Sequence, residues 1–201
     1  TKVAMCGTLL FAFEFMHFTQ TRIATIDTYA VFFIILMYWF MYLYVTQDKD
    51  GGEKRARTYL ALSGVFFGLG AASKWTALYA GAGLAVIWLA HWIIKLASSK
   101  KSADARRRVR NGFFRNCGFC MVFFVVIPAL IYYLSYFRYG TAAGLRAPGM
   151  FFTKEYLDIV LDNQRFMFTY HVGIKATHPY ASRWYQWVFD IKPILYFLHY
   201  G

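Results

Sequence analysis

Charge is what this sequence has least of. Only 16% of its 201 residues are Asp, Glu, Lys or Arg, against about a quarter in soluble domains. Acidic residues are the scarcest, with 10 Asp and Glu facing 22 Lys and Arg, for a net charge of +12. Cysteine is almost missing: Cys6, Cys117 and Cys120 all sit in apolar stretches and are too few for a disulfide framework. Cys117 and Cys120 form a CxxC, but no second Cys/His pair at zinc-ligand spacing and no redox-type flank accompany it. No metal and no cofactor is expected. The charged start, apolar run and small-residue cleavage site of a signal peptide are also missing. The first residue is Thr1 and an apolar run begins almost at once, so the sequence reads as an internal piece of a longer protein.

What the sequence has in excess is apolar and aromatic surface. Hydrophobic residues make up 59% and aromatics 21%, with 21 Phe, 16 Tyr and 6 Trp. A soluble domain of this length has too little interior to hide them, and disorder requires low hydrophobicity. The expected class is an all-α integral membrane protein built as a bundle of transmembrane helices. Its Lys and Arg lie between apolar runs, which reads as membrane topology and not as nucleic-acid binding.

A helix crosses a bilayer with about 20 apolar residues, fewer where its ends snorkel. Five candidate spans emerge: 3–18, 29–45, 59–73, 77–96 and 113–137. The first is short and interrupted by Glu14; the last contains Pro128, an expected kink. Only Lys74-Trp75-Thr76 separates the third and fourth, which predicts a tight helical hairpin. Gly64 and Gly68 form a GxxxG that admits a close neighbouring helix, read as small-residue packing and not as a dedicated dimer face.

The loops set the orientation. Lys49, Lys54, Arg55 and Arg57 follow the second span, and Lys95, Lys100, Lys101, Arg106, Arg107, Arg108, Arg110 and Arg115 flank the fourth-to-fifth connection. Positive loops stay cytoplasmic, so the first and third turns and residues 138–201 face outside. Three polar clusters then share the external face. The first turn holds Arg22 and Asp27, and an Arg costs about 2.5–3.5 kcal/mol at a bilayer centre and less near the interface. Either the two form an ion pair that closes the turn, or Arg22 is reserved for an anionic ligand. Lys74 is expected at the same surface, where two cations repel each other unless an anion joins them. Glu14 and His17, one turn apart, are candidates to line a polar cavity; a neutral, hydrogen-bonded Glu14 is the alternative. In the tail, 154–171 reads as an amphipathic helix in the membrane plane, with Asp158, Asp162, Arg165 and Thr169 on its polar side. The segment after it places His178, Tyr180, Arg183 and Trp184 together, a composition that suits both sugar stacking and an interfacial aromatic belt.

TRIATID after HFTQ, GLGAASKWTALYAG, IPALIYYLSY and DNQRFMFTYHVGIKATHPYASRWYQW, in that order, resemble the protein O-mannosyltransferases, polytopic glycosyltransferases that use lipid-linked sugars. The resemblance implies transfer of mannose from a polyprenyl-phosphate-mannose donor to Ser or Thr hydroxyls of an exported protein acceptor, outside a bacterial plasma membrane. It aligns the five spans with the family's third to seventh helices. The family's Asp-Glu pair, whose Asp is the proposed general base, is expected upstream of Thr1, and the chain alone is expected to be inactive. The last group of family helices has no counterpart, nor has the large inserted sugar-binding-like domain of fungal and animal members, which suggests the bacterial type. Gln186-Trp187-Val188 departs from the family's Trp-Pro. On this resemblance Arg22, Lys74 and Arg183 are the phosphate candidates, with Asp27, His178, Tyr180 and Trp184 completing the substrate-binding set. Membrane lipids are the other expected partners; nucleic acid is not. A related transferase acting on a lipid or glycan, or a non-catalytic membrane transporter or scaffold, is the alternative.

Overall fold

A computed structural model describes residues 1–14, 18, 21–22, 25–49, 52–99, 102–173, 183, 185–186 and 191, apart from the side chains of 48 and 49. Among the described residues all regular structure is helical. The helices are α1 (Lys2–Ala12), α2 (Ile26–Lys49), α3 (Glu53–Ser73), α4 (Thr76–Ser98), α5 (Ala103–Met121), α6 (Ile127–Ser135), α7 (Phe137–Ala142) and α8 (Lys154–Gly173). A π-helical turn, Val122–Val126, joins α5 to α6, and a 3₁₀ turn, Gly149–Phe152, precedes α8. The chain divides into two compact units, Thr1–Ala147 and Pro148–Gly201.

In the first unit α3 is the central helix, in contact with α2, α4, α5, the π-turn and α6. Helical spacing explains its partnership with α2. Met37, Met41 and Tyr44 stand on one face of α2 and are buried against Ala56 and Leu60 of α3 and Leu84 of α4. Polar side chains tie the same seam: Ser63 Oγ donates to the Met37 carbonyl at 2.8 Å, and Tyr38 Oη to the Ala80 carbonyl at 2.8 Å. Bonds of this kind between membrane helices contribute about 0.6 kcal/mol on average. Phe40 and Phe66 stack at 5.4 Å with planes 3° apart.

Three helical stretches have the length and apolarity to cross a membrane: Ile26–Gln47, Thr76–Ser98 and Ala103–Ala142. Their outer faces agree, since Tyr79, Val86, Ile93, Ile94 and Val125 are exposed on a protein with no aqueous use for such a surface. The other two expected spans look different. α3 is 21 residues long but begins with Glu53, Lys54, Arg55 and Arg57 and is rich in Gly, Ala and Ser. Surrounded by other helices, it presents less of itself to lipid, so small residues serve it better than lipophilic ones. α1 has 11 residues, about 16 Å of helix, and none of its residues is buried.

The close packing around α3 has a specific origin. Pro128 lacks an N–H, and its ring displaces the carbonyl four residues back. The chain responds with a wider turn, in which the Ile127 N–H reaches the Val122 carbonyl five residues earlier. The expected kink at Pro128 is thus a π-turn just ahead of it. The Phe123 carbonyl abuts bare Gly64, and a Cβ built on Gly64 collides with that oxygen. A Cβ on Gly68 lies 2.9 Å from Pro128 Cα. The GxxxG therefore packs within the chain.

The basic stretch between the fourth and fifth spans is largely helical and not loop. Ser102 caps α5, accepting from the Ala105 N–H at 3.5 Å, and Asp104 occupies the first turn where the helix dipole favours it. Arginines propagate a helix well, so α5 begins some ten residues before the apolar span. In the second unit, α8 covers the expected 154–171 and runs on to Gly173. Thr153 Oγ1 accepts from the Tyr156 N–H at 3.3 Å, and Phe151 meets Tyr156 edge-on at 5.3 Å. Asp158 accepts a hydrogen bond from Lys154 at 2.8 Å, which holds that exposed ammonium above its ordinary pKa.

Gly64→Ala should lower the melting midpoint in detergent, on the scale of overpacking, about 1–3 kcal/mol. Gly118→Ala, where no atom lies within 4 Å of an added Cβ, should leave it unchanged or slightly raised. Equal midpoints for the two variants would show that the α3 contact does not limit stability.

Candidate functional site

Asp27 lies in the first turn of α2, where unsatisfied N–H groups favour an anion. Lys74 immediately follows α3, near carbonyl ends that favour a cation. Its backbone is extended, with φ −156° and ψ 137°, while its N–H still bonds the Gly70 carbonyl at 2.9 Å. The two helices are antiparallel neighbours, so both ends meet and Lys74 Nζ donates to Asp27 Oδ1. The side chains keep 37% and 40% of their exposure, so the pair is open to solvent and worth at most about 1 kcal/mol.

This corrects two readings of the sequence. Asp27 pairs with Lys74 and not with Arg22. The repulsion expected between Arg22 and Lys74 is relieved within the protein, since Lys74 already has its anion. Arg22, just ahead of α2, is exposed and lies over the Phe18 ring, its Cζ 5.8 Å from the centroid. Among the described residues no carboxylate pairs with it. Next to Asp27, Thr28 Oγ1 is buried without a hydrogen-bond partner.

The same end of the bundle carries an aromatic relay absent from the expected set. Trp75, beside Lys74, donates Nε1–H to Tyr132 Oη at 3.0 Å, and Tyr132 Oη lies 3.4 Å from Tyr136 Oη. Their signal was in the sequence: Trp75 stands in a helix-to-helix turn, and Tyr132 and Tyr136 share an α-helical face four residues apart, both within the quoted motifs.

Glu14 is exposed just past the end of α1. In the second unit, the Arg183 N–H donates to Gln186 Oε1 at 2.7 Å and its guanidinium to Tyr185 Oη at 3.4 Å. His17, His178, Tyr180 and Trp184 lie outside the described residues.

A helical membrane bundle with a paired Lys and Asp at one end fits the comparison with protein families. The family model of dolichyl-phosphate-mannose-protein mannosyltransferases matches residues 1–138, more than two thirds of the chain. The chain belongs to this family, whose members are mannosyltransferase-type glycosyltransferases of the membrane. The match covers α1 to the start of α7 and so includes Arg22, Asp27 and Lys74. No curated protein and no solved structure matches the chain.

A double-mutant cycle on Asp27→Asn and Lys74→Met, read from unfolding midpoints in detergent, should return a coupling of about 0.5–1 kcal/mol. The cycle of Asp27→Asn with Arg22→Met should return none. A coupling confined to the second cycle would restore the Arg22–Asp27 pair.

Proposed function

We propose that the chain is the donor-binding part of a polyprenyl-phosphate-mannose–protein mannosyltransferase of a bacterial plasma membrane, with its active face external. The carrying observation is a lysine fixed by an aspartate in the first turn of α2, with Arg22 five positions before that aspartate facing no carboxylate among the described residues, in a family whose donors are lipid phosphates. On this reading the five spans are 3–18, α2, α3, α4 and the apolar part of α5 with α6. The arginine-rich ends are cytoplasmic. Ion pairing between Arg115 on α5 and Glu53 at the start of α3 supports the placement of both basic stretches at one end.

The reaction asks little covalent chemistry of these residues. An acceptor Ser or Thr oxygen attacks the anomeric carbon of mannose opposite its bond to phosphate. The new glycosidic bond forms as the carbon–oxygen bond to phosphate breaks, and its electron pair stays on the polyprenyl phosphate. The configuration inverts. The hydroxyl proton passes to a base that this reading assigns to none of the described residues. Arg22 offers the departing phosphate two parallel N–H donors, a geometry an ammonium lacks. Lys74 adds a second positive charge, and Asp27 holds it in place before the donor arrives. Fixed charge of this kind stabilises the leaving group without reorganisation.

In membranes from cells that produce the whole transferase, Arg22→Ala should abolish mannose transfer while insertion is retained, and Arg22→Lys should recover only part of it. If Arg22→Ala and Asp27→Ala merely reduce the amount of folded protein, and the surviving fraction transfers mannose normally, the donor-site assignment is wrong. The orientation has its own test in a cysteine-free background. A membrane-impermeant thiol reagent applied to intact cells should label Thr141→Cys and spare Ser99→Cys; the reverse pattern overturns the external active face.

A further inference from the structure

The opposite end of the first unit, away from Asp27 and Lys74, holds a second concentration of charge that the transferase reading does not use. We infer that it binds an anionic membrane phospholipid, with the headgroup phosphate among the cations and an acyl chain in an adjoining apolar groove.

The polar part is a cavity of about 320 Å³ built by four helix ends: Tyr44 of α2, Arg57 of α3, Lys95 of α4 and Arg108 and Arg115 of α5 all line it. Its lining holds four cations, Arg57, Lys95, Arg108 and Arg115, and one carboxylate, Glu53. Both Arg57, at 2.6 Å, and Arg115 donate to the same Glu53 Oε1. One carboxylate oxygen thus serves two guanidinium groups, each with further N–H donors to offer. Arg108 has no carboxylate partner among the described residues. The wall is also incompletely satisfied by the protein itself. Asn116 is 8% exposed, and its Nδ2 donates to the Gly112 carbonyl at 3.2 Å while its Oδ1 is unpartnered.

A cationic cavity alone suits any phosphate. The groove beside it selects a lipid. Between α4 and α5 lies a second cavity of about 180 Å³, lined by Leu89, Ile93, Leu96, Phe113 and Phe114 with the Arg110 stem, and it shares Trp92 and Val109 with the polar one. Trp92 forms the partition: its indole donates to Tyr44 Oη at 3.2 Å, and Lys95 Nζ lies 5.0 Å from its ring centroid. Charge on one side of an indole and aliphatic surface on the other match the junction between a headgroup and its acyl chain. Basic pockets between membrane helices are the usual receptors for anionic headgroups.

The protein reconstituted in phosphatidylcholine nanodiscs, titrated with dioleoyl phosphatidylglycerol and read by native mass spectrometry, tests this. Wild type should retain the anionic lipid, and Arg108→Gln/Arg115→Gln should weaken retention on the order of ten- to thirty-fold, from about 1 kcal/mol per cation near an anionic surface. Arg108→Gln alone, which leaves the Glu53 pairs intact, should weaken it by several-fold. Arg106→Gln/Arg107→Gln, on the same helix but outside the cavity, should change it little. Equal loss in both double variants would show diffuse charge attraction and overturn the site. Binding of glycerol phosphate without acyl chains as tightly as the lipid would overturn the lipid assignment. Either result leaves the Arg22 proposal standing, because mannose transfer is measured separately.

Discussion

The near-contact between Gly64 and the Phe123 carbonyl is the constraint on which the rest of the first unit depends. A helix that every neighbour touches can sit at the centre only if it is thin where the backbones cross. Gly64 and Gly68 make α3 thin on the side that meets the π-turn and Pro128. That approach fixes where α5 and α6 lie, and the two ends of the bundle follow from it. At one end Trp75 reaches Tyr132; at the other Arg115 reaches Glu53. A wider central helix moves both contacts at once.

The end that carries Asp27 and Lys74 is also matched to the field of its own helices. Asp27 stands at a helix start and Lys74 at a helix finish, so each is favoured locally before they meet. Neither gains much from the other in solvent. What the pair supplies is position, because it holds an ammonium on the surface where α3 turns into α4. The basic end is arranged differently. There one carboxylate oxygen serves two guanidinium groups. Two ends with different charge economies suit a protein that meets different molecules on the two faces of a bilayer.

Much of this architecture was legible in the sequence, and what was not has physical causes. The hairpin at Lys74–Thr76, the close packing at Gly64 and Gly68, and the helix from Lys154 all follow from local pattern, so short-range reading finds them. The partner of Asp27 does not. Arg22 is nearer in sequence, but Lys74, 47 positions away, is nearer in space, and only the antiparallel packing of α2 on α3 brings it there. The arginine run after Ser102 reads as a loop because charge signals solvent. Arginine is nonetheless a good helix former, and a capped start carries α5 through the run. Tyr132 and Tyr136 were passed over because tyrosines in an apolar helix resemble core; their hydroxyls matter only once Trp75 is placed against them.

The π-turn at Val122–Val126 also acts as a phase shifter. Each α-helical residue advances the helix by about 100°, so a turn that accommodates an extra residue rotates everything after it against everything before. The arginine face of α5 and the tyrosine face of α6 thereby point in directions that one uninterrupted helix could not give them. In this rod of 40 residues, the angle between the chemistry at its two ends is set by the count of residues in the middle. A single residue deleted there swings the tyrosines off Trp75 while composition and hydropathy hardly change. In this bundle, register is information that apolarity alone does not carry.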